Sequence, residues 1–186
     1  HYMKDVEIYN NTLRLLDGVR VNLGIQIRGE EFINAINGLI HENINIHSNT
    51  IRSLTGNHPW GIVAGVYGTP SVGSLFRHIY IENNKIINCL GQIKLDSSLT
   101  ANGYVIQDSV IANNDTWWDL DPAGKVISGV LCSAPTLFNV YVTRNKLLNV
   151  NLTGIRVQDN LPIGESAASK VTIDYNDIQM TAGVNG

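Results

Sequence analysis

Ile79-Tyr80-Ile81-Glu82-Asn83-Asn84-Lys85-Ile86 is the stretch on which the fold turns. Two apolar residues flank a third position, two polar residues follow, and an asparagine then leads through one residue to another apolar one. The pattern recurs as Val6-Glu7-Ile8-Tyr9-Asn10-Asn11-Thr12-Leu13 and Ile44-Asn45-Ile46-His47-Ser48-Asn49-Thr50-Ile51. A degenerate copy is Ser109-Val110-Ile111-Ala112-Asn113-Asn114-Asp115-Thr116. Val140-Tyr141-Val142-Thr143-Arg144-Asn145-Lys146-Leu147 and Val171-Thr172-Ile173-Asp174-Tyr175-Asn176-Asp177-Ile178 complete the series. The marker asparagines, 11, 49, 84, 114, 145 and 176, are separated by 38, 35, 30, 31 and 31 residues. A period in this range signals a repeat architecture. The apolar residues alternate at period two and are mostly β-branched, which selects strands over a helical solenoid.

A second strand pattern opens on a glycine: Gly24-Ile25-Gln26-Ile27, Gly61-Ile62-Val63-Ala64, Gly91-Gln92-Ile93-Lys94-Leu95, Gly129-Val130-Leu131-Cys132 and Gly154-Ile155-Arg156-Val157. Short apolar segments such as Ile86-Ile87 and Leu147-Leu148 lie between and read as a third strand. Three short strands per turn, repeated in register, predict one all-β domain over 1–186, a three-sided parallel solenoid of about six coils. At about 4.8 Å per coil the rod is roughly 29 Å long. Inward Ile, Val and Leu residues stack into core columns. The marker asparagines stack into a side-chain amide ladder that satisfies backbone groups at the bend. Neither end carries an obvious polar cap, so the chain is expected to be a piece of a longer one.

Composition narrows the function classes. Charged residues make up 16%, below the roughly 25% of ordinary globular chains, and the deficit is filled by 22 asparagines and 17 glycines. Such residues serve tight bends. A net charge of −3 offers no basic field for nucleic acid. No apolar run approaches the roughly 18 residues of a membrane span. Cys89 and Cys132 make neither a disulfide framework nor a zinc site, and His41, His47, His58 and His78 lack metal-ligand spacing.

The asparagine-marked bend followed by a glycine-led strand resembles the right-handed parallel β-helix superfamily of pectate lyases, polygalacturonases and phage tailspikes. The resemblance covers essentially the whole chain and implies a right-handed, single-stranded solenoid. Within that superfamily the chain is most similar to tailspike and depolymerase domains. That likeness implies an extracellular or virion protein that binds a bacterial surface polysaccharide, cleaves it by hydrolysis or elimination, and is a homotrimer at full length. Two alternatives stand beside this: a non-catalytic structural or adhesive segment, and a secreted pectinase-type lyase or hydrolase. No cofactor or metal is expected, because the stacked acidic cluster that holds calcium in pectate lyases is missing from the pattern. Asp121-Pro122 matches the start of the Asp-Pro-His-Glu motif of alginate epimerases, but Ala123-Gly124 follow.

Irregular corners of a solenoid are where function collects. Between marker and glycine-led strand the second and fourth repeats carry Gly56-Asn57-His58-Pro59-Trp60 and Trp117-Trp118-Asp119-Leu120-Asp121-Pro122. All three tryptophans therefore fall at one corner, where exposed aromatic faces suit sugar rings. A second corner carries Glu30, Glu31, Asp96 and Asp159. The strand between the corners presents two outward columns, Gln26, Val63, Lys94, Leu131, Arg156 and Arg28, Gly65, Asp96, Ser133, Gln158. Arg28, Lys94, Arg156 and Gln158, bordered by Trp60, Trp117 and Trp118, form the expected glycan-binding set. Glycoside hydrolysis needs two carboxyl groups, roughly 5–5.5 Å apart when retaining and 6.5–9.5 Å when inverting. Asp96 is the central candidate, with Asp119, Asp121 and Asp159 reaching from the corners.

Overall fold

The computed structural model describes residues 3–16, 23–31, 40–68, 75–97, 105–121, 123–134, 136–159 and 170–181. The side chains of Arg28, Glu30, Glu31 and Asp159 lie outside the described residues. Those described form seventeen strands and no helix. The chain begins with β1 (Met3–Tyr9), β2 (Thr12–Leu15), β3 (Ile25–Glu31), β4 (Ile40–His47), β5 (Thr50–Ser53) and β6 (Trp60–Gly68). It continues through β7 (Leu75–Glu82), β8 (Lys85–Ile87), β9 (Gly91–Ser97), β10 (Val105–Ala112), β11 (Asp115–Trp117) and β12 (Ser128–Ala134). It ends in β13 (Thr136–Thr143), β14 (Lys146–Val150), β15 (Thr153–Asp159), β16 (Lys170–Asp174) and β17 (Asp177–Met180).

Every third strand returns to the same sheet. The first sheet is ordered β1-β4-β7-β10-β13-β16, the second β2-β5-β8-β11-β14-β17 and the third β3-β6-β9-β12-β15. The strand pairings within all three are parallel. This arrangement of three parallel sheets is compatible with a parallel β-helix.

Register explains the sequence pattern. Ile44 pairs with Ile79, Ile51 with Ile86 and Ile62 with Ile93, so like residues stack along the core. Those six side chains are essentially inaccessible. Burying each one stabilises the fold by roughly 1.5–3 kcal/mol before entropy is counted. The degenerate repeat is accommodated chemically: buried Ser109 takes the place of an apolar residue opposite Val140. Its hydroxyl donates to the Gln107 carbonyl at 2.8 Å and accepts from the Ile79 amide at 3.2 Å.

The marker asparagines form the expected ladder. Side-chain amide links run Asn11→Asn49→Asn84→Asn114→Asn145→Asn176, at 2.9–3.0 Å. Each receiving Oδ1 also accepts the backbone N–H of the preceding marker, for example Asn49 N to Asn84 Oδ1 at 3.0 Å. Each marker from Asn49 on donates as well to a carbonyl of the neighbouring first-sheet strand, as Asn84 does to Ile46 at 2.8 Å.

The residue before every marker is left-handed: Asn10, Ser48, Asn83, Asn113, Arg144 and Tyr175 have φ of 51–56°. That conformation turns the chain sharply and aims the following asparagine inward. The structure adds a bend that the repeat pattern does not announce. Asp5, Asn43, His78, Asp108 and Asn139 are also left-handed, φ 48–57°, in the middle of the first-sheet strands. Side-chain bonds join several of them, Asn43 to Asp5 at 2.8 Å and Asn139 to Asp108 at 3.0 Å. Asn, Asp and His are the residues that enter this region most readily, so the bend is encoded by residue type and not by an apolar period.

Candidate functional site

The third sheet carries the most chemically varied outer face. Two alternating columns of its strands are in the expected register: Gln26, Val63, Lys94, Leu131 and Arg156, and Arg28, Gly65, Asp96, Ser133 and Gln158. They do not form the open face expected of them, because Val63, Asp96 and Ser133 are buried. Lys94 and Asp96, two residues apart on β9, therefore share a face, and Lys94 Nζ lies 2.6 Å from Asp96 Oδ2. The Asp96 side chain is only 4% exposed and that of Lys94 22%. The cation is what makes a carboxylate so deeply placed tolerable.

Trp60 opens β6 in register with Gly91. Its ring lies flat against that glycine: a Cβ added there would fall 2.3–2.5 Å from three indole carbons. Glycine at 91 thus lets the indole seat beside the strand. Lys94 Nζ sits 5.7 Å from the ring centroid, in cation–π range. Next to them is a small cavity of about 170 Å³ lined by Trp60, Ser128, Val130, Leu131, Leu152, Thr153 and Arg156. An indole and aliphatic side chains give it apolar walls, two hydroxyls supply hydrogen bonds, and a guanidinium stands at the edge. It is smaller than the 300–1,000 Å³ of sites for drug-sized molecules, a size for one ring.

The structure separates the three tryptophans. Trp118 is 2% exposed and packs with Ile127 and Val150 in a small second core, flanked by Leu90 and Leu120. Buried there, it presents no ring to a ligand, contrary to its expected place in the glycan-binding set. Trp117 points outward, but from the second sheet, with Ile87 and Leu148 as register neighbours. Of the three, Trp60 alone borders the third-sheet face. Arg156 and Gln158 are exposed on that face.

The acidic candidates are also dispersed. Asp119 is held at 3.1 Å by Arg52 and at 2.6 Å by the buried Asn88 amide, whose Oδ1 accepts the Asp119 N–H. Asp121 accepts the Ala123 N–H at 3.0 Å and so shapes its own turn. Both lie on the segment entering β12 at Ser128, whereas Asp96 pairs with Ser133, five residues further along. Asp159 reaches the same end of the sheet as Asp96, in register with Ala134. Asp96 has Gly65 and Ser133 as immediate neighbours in its column, not a second carboxylate.

Leu131 lies in the expected column, whereas Leu152, Ser128 and Thr153 are cavity residues that the sequence pattern does not single out. Leu152 and Thr153 follow a turn fixed by Asn151, which accepts the Ile127 N–H at 2.8 Å and donates to the Lys125 carbonyl at 2.9 Å. No family model matches the chain, and no curated protein or solved structure is significantly similar to it.

Proposed function

We propose that this chain is a right-handed parallel β-helix of six coils, of the tailspike-like kind, that binds an acidic bacterial surface polysaccharide across its third sheet. Right-handedness follows from the near-universal hand of parallel crossovers. The observation that carries the reading is the cavity between Trp60 and Arg156, with Lys94 over the indole. A sugar ring has an apolar C–H face for Trp60, Leu131 and Leu152, and hydroxyls for Ser128 and Thr153. A uronate or comparable acidic substituent meets Arg156, which recognises a carboxylate in bidentate fashion. Location outside the cell or on a virion belongs to the same reading.

Cleavage is the second reading, and elimination suits this face better than hydrolysis. The described outward side chains of the third sheet include Lys94, Arg156 and a single carboxylate, Asp96. A lyase needs one base and a cation to neutralise the uronate, whereas hydrolysis needs two carboxyl groups.

Titrating the protein with a panel of capsular and lipopolysaccharide glycans, neutral and acidic, tests the binding claim. Binding of an acidic glycan, weakened at least tenfold in both Trp60→Ala and Arg156→Ala, is the expected result. Equal affinity of those variants and the parent would refute it. Absorbance of unsaturated uronic ends separates elimination from pure binding, and reducing ends without that absorbance would indicate hydrolysis.

A further inference from the structure

The outer face of the second sheet has a charge pattern that the glycan site does not use. Lys85, Asp115, Lys146 and Asp177 occupy one register column on β8, β11, β14 and β17. All four are exposed. Signs alternate along the column, positive, negative, positive, negative. Neighbouring strands bring unlike charges level at about 4.8 Å, yet none of the four makes an ion pair among the described residues. The next register column holds Arg52, Ile87, Trp117, Leu148 and Gln179, of which Ile87 is buried while Trp117 and Leu148 are partly exposed. A cavity of about 320 Å³ lies over β11 and β14, lined by Asp115, Thr116, Trp117, Lys146 and Leu148.

We propose that this face is a self-complementary contact surface, met by a second copy of the chain lying antiparallel across it. A twofold axis in the contact plane, parallel to the strands and midway between β11 and β14, reverses the order of strands and keeps each column opposite itself. Lys85 then faces the other copy's Asp177, and Asp115 its Lys146, giving four opposed pairs. The same operation sets Trp117 against Leu148. An isologous contact demands such self-complementarity, and a column reading + − + − is the simplest one that has it. No other occupant is needed to explain both the alternation and the apolar pair at its centre.

The footprint bounds the strength. Four strands at about 4.8 Å, each contributing about three residues of roughly 3.3 Å, cover about 200 Å² per copy. Stable complexes bury about 800 Å² per partner. The association is therefore weak and transient, and it weakens as salt rises because exposed charges are screened.

Sedimentation equilibrium of the whole chain at rising concentration, in about 20 mM and 500 mM NaCl, is the test. At low salt the average mass should climb towards twice the monomer, and high salt should suppress it. Lys146→Asp sets two like-charged pairs face to face and should weaken association at least tenfold. The double variant Asp115→Lys with Lys146→Asp restores every pair across the twofold while spoiling the alternation within each chain, so it should regain dimerisation. Circular dichroism confirms that these exposed substitutions leave the fold intact. A double variant as monomeric as the single one would overturn the proposal, as would salt-independent association or a monomer throughout.

Discussion

Replacing Asn84 by alanine removes the middle of the amide ladder, and its cost can be worked out bond by bond. The side chain is wholly buried. Its Oδ1 accepts from Asn49 N and Asn49 Nδ2, both at 3.0 Å, and its Nδ2 donates to Asn114 Oδ1 at 3.0 Å and Ile46 O at 2.8 Å. Two of the four partners retain another bond: Asn49 Nδ2 still reaches Ile8 O, and Asn114 Oδ1 still accepts the residue 84 N–H. The Asn49 N–H and the Ile46 carbonyl lose the bond these contacts supply. An orphaned buried group costs about 1–3 kcal/mol, so Asn84→Ala should destabilise by about 3–5 kcal/mol once the cavity is included. A repeat array is held by nearest-neighbour interfaces, and residue 84 serves the one on each side. Urea unfolding followed by tryptophan fluorescence and by far-ultraviolet circular dichroism measures the loss, with the exposed Lys85→Ala as control. Asn176→Ala, half-buried and without a following marker among the described residues, should cost less. If Asn84→Ala falls within about 0.5 kcal/mol of Lys85→Ala, the ladder is not a principal support of the bend.

Further outcomes are expected at other sites. His41 is buried against Phe76, its ring centroid 4.8 Å away, and burial pulls its pKa from 6.5 down to about 4. The unfolded chain binds this proton first, so its contribution is complete above about pH 6.5 and lost as pH falls towards 4. The loss is on the order of 3 kcal/mol; His41→Leu should flatten the stability curve in that window, and parallel curves would contradict the assignment. Cys89 and Cys132 are buried, and burial pushes both thiols up to about 12. Neither should react with a thiol reagent at pH 8 until urea unfolds the chain. Ser48 sits at φ 55°, and Ser48→Gly should raise stability by about 1 kcal/mol by relieving left-handed strain, as read from the urea midpoint. Gly91→Ala should displace the Trp60 ring and weaken glycan binding several-fold while leaving the far-ultraviolet spectrum unchanged.

The fold was legible because its defining features repeat. Period-two alternation assigned Ile44, Ile46, Ile79 and Ile81 to the core, and all four are buried. The spacing of Asn11, Asn49 and Asn84 marked the bend, because a ladder requires the same side chain at the same place in each circuit. The bend inside the first-sheet strands was not legible. Its residues, Asp5, Asn43, His78, Asp108 and Asn139, share a tolerance for positive φ but no hydropathy signature. The strands also extend further back than the motif, as β4 does to Ile40, because their leading halves vary in residue type from circuit to circuit.

Counting along the chain locates a corner but not which way an irregular segment folds over it. Trp60 and Trp118 carry the same signal, an aromatic in a long turn. One begins a strand, where glycine at 91 leaves room for its ring, and stays at the surface. The other has Ile127 and Val150 packed against it and its own carbonyl accepts from Asn149 Nδ2 at 2.8 Å, so it turns inward. The carboxylates divide by the same logic. Asp119 and Asp121 satisfy the turn that contains them, whereas Asp96 stands on a regular strand where register decides its neighbours. Those neighbours, Gly65 and Ser133, lack a second acid, and the near partner is Lys94. In the proposed reading Arg156, at the cavity beside the Trp60 indole, is the cation left to meet an acidic substituent, because Lys94 is engaged by Asp96. On that ground recognition of an acidic glycan is favoured over two-carboxylate hydrolysis, and any cleavage at this face should depend more on Lys94 and Arg156 than on Asp119 or Asp121.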